Sequence, residues 1–255
     1  MLSIDLNCDL GESYGLFKIG NDEEVLKHIS SANIACGYHA GDHNVMEATV
    51  KLAKMHGVNI GAHPGFPDLH GFGRREMTLS AREIYNLTVY QIGALAAVAK
   101  VAAAKVIHVK PHGALYNIAA KDKETARAVA QAVLDIDDSL VLFGLAGSQL
   151  VKAGEEKGLK VVHEVFADRS YQTDGTLTPR SNANAVIQDS GVAIGRVLRM
   201  VKEGRIQTVN GTDIGIQADT VCVHGDEPQA LEFVSRLKKA LLEEGITLRK
   251  SWDDQ

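Results

Sequence analysis

Three cysteines in 255 residues, odd in number and widely spaced, exclude a disulfide framework and any CxxC metal knuckle. A reducing cytoplasm is the compartment this usage predicts. The net charge is -5 and no basic stripe is visible, so nucleic acid is not an expected partner. No apolar run approaches the roughly 18–20 residues of a membrane span. The opening MLSIDLNCDLGES has neither the basic nor the apolar region of an export signal. The sequons at Asn86 and Asn210 are therefore not expected to carry glycans. Local catalytic signatures are missing too. There is no GxSxG elbow. HExxH, a short His-x-His pair, GxxxxGKS/T and a GxGxxG after a strand are all absent. Any site must be assembled from segments far apart in the chain.

What is present is a regular alternation. Strand-like runs fall at residues 2–8, 32–36, 58–62, 106–110, 140–144, 161–166 and 219–223. Amphipathic stretches lie at 22–31, 43–56, 80–103, 123–134, 148–157, 190–203 and 227–244. Ser80 with Glu83 forms a capping-box pattern, and Gly57, Gly158, Gly204 and Gly245 stand where helices should stop. Strict alternation implies a parallel sheet with crossover helices. Seven or eight such units in one chain of this length predict a single closed parallel β/α barrel over residues 1–255, with an open doubly wound sheet as the alternative. TVNGTDI (Thr208 to Ile214) breaks the pattern; its Asn-Gly predicts a small β-hairpin insertion.

Six of the apolar runs end in chemistry-bearing motifs: LNCDLGE, IACGYHAGD, IGAHPGFPD, VKPHGALYN, HEVFADR and VCVHGD. Strand ends are where barrel enzymes build their sites. Pleat parity places Asp5, Asn7 and Asp9 on one face of the first strand. It aligns Asn33, Ala35, Gly37 and His39 in the second, Asn59, Gly61 and His63 in the third, and His108, Lys110 and His112 in the fourth. The helix side must be apolar, so these polar sets are expected to face the barrel axis. Asp9 and Glu12 can divide acid and base work or bind a cation with neighbouring imidazoles. His39, His63, His112 and His224 suit metal ligation or general-base roles; if a metal is bound, Asp9, His63 and His112 are its expected ligands. Lys110 can stabilise an oxyanion or hold a carboxylate, or sit in a buried ion pair with Asp9 or Glu164. The long loop over residues 63–77 offers Arg74 and Arg75, and the loop from Ala167 to Ser181 offers Asp168, Arg169, Tyr171 and Arg180. The cysteines read as packing, not as nucleophiles. GLAGSQ (Gly144 to Gln149) reads as a turn into a helix with Ser148 as its cap.

NCDLGE, ACGYHAGD, GAHPGFPDLHGFGRR, VKPHGALYN, EVFADRSY…G…PR and CVHGD together resemble the LamB/YcsF family, from Asn7 to about Asp226. Phe66 and Tyr38 depart from its usual pattern by Tyr/Phe exchanges that do not touch the chemistry. The resemblance implies a seven-stranded β/α barrel related to the glycoside hydrolase/deacetylase group and the opening of 5-oxo-L-proline to L-glutamate coupled to ATP hydrolysis, with partner subunits B and C. Its motif positions single out Asp9, Glu12, His39, His63, Lys110, His112, Asp168 and Arg180. On this reading Asp9, Glu12, His63, Lys110, His112 and Asp168 are catalytic, and His39, Arg74, Arg180 and His224 bind substrate. ATP is the co-substrate, with a divalent ion (Mg or Zn) as a further candidate. Lys110 and a histidine would stabilise the lactam oxygen, while Asp9 or Asp168, with His63, activates water. Two alternatives stay open: a stand-alone metal-dependent hydrolase or deacetylase, and a lactam-binding protein without chemistry of its own.

Overall fold

The computed structural model describes residues 2–223, 230–249 and 252. The chain runs β1 (Ser3–Leu10), α1 (Asp22–Leu26), β2 (Ser31–Ala35), α2 (His43–Met55), β3 (Asn59–His63), α3 (Ala81–Val101), β4 (Val106–Val109), α4 (Gly113–Ala119) and α5 (Lys123–Ile136). It continues through β5 (Val141–Leu145), α6 (Gln149–Glu156), β6 (Val161–Phe166), α7 (Ser190–Glu203), β7 (Arg205–Gln207), β8 (Asp213–Gly215), β9 (Thr220–Val223), α8 (Ala230–Glu243) and β10 (Thr247–Leu248). Parallel pairing follows β1-β2-β3-β4-β5-β6-β9, and β9 pairs back onto β1 with Leu6 opposite Val221. Seven strands therefore close, and the open-sheet alternative falls. β10 adds in parallel to the start of β1. β7 and β8 pair antiparallel across the Asn-Gly turn, as the insertion predicts.

Local chemistry explains most element ends. Ser80 and Glu83 form the expected reciprocal cap of α3. Gly204 closes α7 in the left-handed region at φ 62°. α3 is long and apolar enough to cross a membrane by length and composition, which corrects the reading that no such run exists. Its Ile84, Leu87, Ile92 and Leu95 are buried in the main core. Three other elements differ from expectation. α1 stops at Leu26, not at residue 31, because Ser30 is drawn to β1, its N–H donating to the Leu6 carbonyl at 2.9 Å. α4 occupies a stretch read as loop. β10 is too short to leave a periodic signal. The expected start of the last helix at residue 227 lies outside the described residues.

The lumen is polar on one side and apolar on the other, in layers. Asp5 accepts from the hydroxyls of Ser30, Ser31 and Thr220. Above it, Asn7 donates to Thr220 at 2.7 Å, Asn33 donates to Asn7 at 2.7 Å, and His108 Nε2 meets Asn33 Oδ1 at 2.8 Å. Buried polar groups need such partners to offset their desolvation. Phe143 stacks on His108 with centroids 4.3 Å apart and meets Trp252 edge-on at 5.4 Å, packing an apolar plug with Val141 and Val162. The opposite strand faces bury Ile4, Leu6, Cys8 and Leu10 against the helices. Gly61 lets β3 lie against the His108 ring: a Cβ there would sit 2.0 Å from His108 Nε2. Gly61→Ala is accordingly expected to destabilise the fold by about 1–3 kcal/mol in denaturant titration, the usual cost of overpacking; an unchanged midpoint would contradict this layering.

Candidate active site

Above these layers, at the carboxyl ends of the strands, ionisable side chains converge. Lys110, just past β4, is 2% exposed. Its Nζ lies 3.0 Å from Asp9 Oδ1, 3.1 Å from Asn7 Oδ1, 3.1 Å from Cys222 Sγ and 2.8 Å from Glu164 Oε1. Burial pulls the ammonium pKa down, but Asp9, Cys222 and Glu164 outweigh it and hold it well above the ordinary lysine value. Glu164 Oε2 also accepts from Tyr116 OH at 2.6 Å, and Tyr116 comes from the unexpected α4. An ammonium has three N–H donors, and four acceptors already surround this one. Lys110 is thus committed to the protein, which favours the ion-pair reading over the oxyanion-stabilising one.

Asp9 is the hinge between this clamp and the histidines. Its Oδ1 accepts from Lys110 and from Asn33 Nδ2 at 2.8 Å, and its Oδ2 lies 3.3 Å from His63 Nε2. Burial would raise its pKa, yet His63 and Lys110 together keep the carboxyl well below the usual range. It is ionised at neutral pH.

The histidines are oriented by backbone. His63 Nδ1 faces the Lys110 carbonyl at 2.6 Å, and His112 Nε2 faces the Phe72 carbonyl at 2.8 Å. A carbonyl only accepts, so each imidazole carries its proton on that nitrogen. The remaining nitrogens, His63 Nε2 and His112 Nδ1, lie 2.9 Å apart with lone pairs facing. Such an arrangement requires a proton or a cation between them. Burial, then His63, push His112 down to about 3. His39 stacks on His112 with centroids 3.7 Å apart, and its Nε2 is 3.3 Å from Glu12 Oε1. Burial, then His112, hold His39 well below the ordinary histidine value as well.

Glu12, His39, His63 and His112 can each turn one ligand atom to a common point, all four atoms lying within 4.8 Å of one another. Against the expected set of Asp9, His63 and His112, this group joins Glu12 and His39 to the same two histidines, with Asp9 beside it, its Oδ2 3.3 Å from His63 Nε2. Three imidazoles and a carboxylate suit a zinc-class ion better than magnesium, which prefers oxygen ligands and water. The facing lone pairs and the acidic surroundings fit such a cation.

This group opens into a cavity of roughly 360 Å³. Asp9, Glu12, His63, Lys110 and His112 line its depth, and Arg74, Lys121, Arg169 and Arg180 line its rim. Gly73, at φ 62°, brings the long loop onto the histidines: a Cβ there would lie 2.7 Å from His39 Cβ. Of the adjacent arginines, Arg75 pairs with Asp68 and ties the loop down, while Arg74 stands over Phe72 beside the cavity. Asp168 follows the end of β6, where its carbonyl accepts from Ile187 N at 2.7 Å, and is not among the described lining residues. His224 lies outside the described residues. Two participants were not singled out as site residues. Glu164 has the lumen parity of β6, a usable signal. Cys222 shares the parity of Thr220, which contacts Asp5 and Asn7.

The profile of the LamB/YcsF family matches residues 4–254. The 5-oxoprolinase A subunit of Halalkalibacterium halodurans is 58% identical over 253 residues, covering 99% of this chain and 98% of that one. A crystal structure of a lactam utilization protein from Thermus thermophilus superposes with a TM-score of 0.92 at 47% identity, covering 98% of this chain and 100% of that one. The catalytic domain of a peptidoglycan N-acetylglucosamine deacetylase from Eubacterium rectale, 11% identical with a TM-score of 0.54 over 99% of this chain and 89% of that one, shares the fold alone.

Replacing Lys110 by Met would leave Asp9 and Glu164 buried without their counter-ion. A loss of about 3–5 kcal/mol in unfolding free energy is expected. Unaltered stability would show that the clamp is not holding charge in the lumen.

Proposed function

The chain belongs to the LamB/YcsF family, and we propose that it is the A component of a 5-oxoprolinase, a hydrolase that opens the lactam of 5-oxo-L-proline to give L-glutamate. The observation that carries this reading is the charge layout of the cavity. An ionised Asp9 and two backbone-oriented imidazoles lie at its depth, below a rim of cationic side chains. The substrate's own groups match that order: an amide to be attacked and a carboxylate to be held.

A five-membered lactam resists water because its carbonyl carbon is a poor electrophile. We propose ATP as co-substrate, supplied in a complex with subunits B and C, in keeping with the lettered naming of the relatives. Transfer of the γ-phosphoryl group to the lactam oxygen leaves ADP and an activated carbon. Water adds to that carbon, the C–N bond breaks, and the nitrogen leaves as the amine. A second water hydrolyses the resulting acyl phosphate to glutamate and inorganic phosphate. Asp9 accepts the proton of the attacking water, assisted by His63 at 3.3 Å. Lys110 keeps Asp9 ionised and fixed. Glu12, His39, His63 and His112 would hold a divalent ion, which when bound supplies Lewis-acid stabilisation of a developing oxyanion.

That ligand group also favours a second reading, a metal-dependent amide hydrolase acting without ATP or partners. One assay separates the two: glutamate release from 5-oxo-L-proline, with and without ATP and the partner subunits. Full dependence on both is expected, and Asp9→Asn should lower kcat by at least about 10³-fold in protein that is still folded and assembled at the assay temperature, the scale on which loss of a general base is felt. Full activity of this variant, or turnover by the chain alone, would overturn the reading.

A further inference from the structure

Among the cations of the cavity rim, Arg169 differs from the rest. Arg74, Lys121 and Arg180 are exposed, whereas Arg169 is 5% exposed. Its guanidinium is held in place by neutral groups: Nε donates to the Ala185 carbonyl at 3.3 Å and Nη2 to the Thr178 carbonyl at 2.6 Å. Among the described residues it makes no ion pair, and Nη1 has no hydrogen-bond partner. Asp168 raises its pKa, but burial and Arg180 prevail and pull it down to about 10. A buried guanidinium left without a carboxylate is unfavourable in the free protein. An arriving anion relieves that cost, and a fork with fixed orientation receives a carboxylate with little loss of side-chain freedom. Arg169 lines the same cavity as Asp9, His63 and His112.

We propose that Arg169 receives the carboxylate of the substrate, and so makes the cavity select an acid-bearing lactam over a neutral one. This rests on the lactam reading above and adds a residue that sequence reasoning placed only among the loop's polar groups. The geometry separates it from the exposed Arg74 and Arg180, which can attract an anion but bear no buried charge to be matched.

The test uses two probes of nearly equal shape, 5-oxo-L-proline and its neutral carboxamide. Binding is measured by calorimetry and by inhibition of the assembled, ATP-dependent enzyme. Wild-type protein is expected to bind the acid well ahead of the amide. Arg169→Gln should weaken the acid about 100-fold, the scale of removing one partner of a buried charged pair, and move the amide less than about threefold. Arg169→Lys, which keeps the charge but not the fork, should fall between. An equal loss for both probes would mean that the side chain only anchors Thr178 and Ala185, and would overturn the assignment. So would unchanged discrimination, or an effect confined to the KM for ATP. A wild-type complex that releases no glutamate would instead sink the lactam reading, and this proposal with it.

Discussion

The structure depends on one buried ammonium. Lys110 gathers Asn7 and Asp9 of β1, Glu164 of β6 and Cys222 of β9 around a single charge. Placing any of these ions alone in the lumen would cost several kcal/mol. Together they offset one another, and the strands that carry them are fixed at their carboxyl ends. The same residue acts twice. Its ammonium holds Asp9 ionised, and its main-chain carbonyl sets the tautomer of His63. The position of the carboxylate and the direction of the imidazole lone pair therefore come from one point in the chain.

From that point a gradient of charge develops outward. Asp9, Glu12 and Glu164 outnumber Lys110 at depth, where the facing nitrogens of His63 and His112 call for a cation. Four cationic side chains line the rim. The hydrogen-bonded layers of Asp5, Asn7, Asn33 and His108 support this arrangement from below, and Phe143 with Trp252 packs an apolar plug beneath. A polar lumen is tolerable because each layer satisfies the one above it.

Much of this was legible in the sequence because period-two alternation survives in β1 to β4. Parity alone put Asp9, His63 and Lys110 on the inner face, and His112 with them; the structure joins all four within hydrogen-bonding reach. Parity stops working where strands stop. Asp168 has the inward parity of Glu164 and Phe166, but β6 ends at Phe166, and past that point pleat parity no longer places a side chain. α4 was hidden by its brevity and by the Pro-His before it and the glycine that opens it, so the tyrosine that supports Glu164 could not be placed. The ligand group was only half visible: Asp9 faces His63, as parity implies, but Glu12 and His39 lie past the ends of β1 and β2, where the turns and not the pleat bring them to His63 and His112.

The account can be tested most directly at the tautomers of two histidines. Long-range ¹H–¹⁵N correlation spectra of histidine-labelled protein report which ring nitrogen carries the proton. The account predicts the Nδ1–H form of His63 and the Nε2–H form of His112, with the other two nitrogens unprotonated and shifted together on addition of Zn²⁺. His63 found protonated on Nε2 and unmoved by the cation would contradict it.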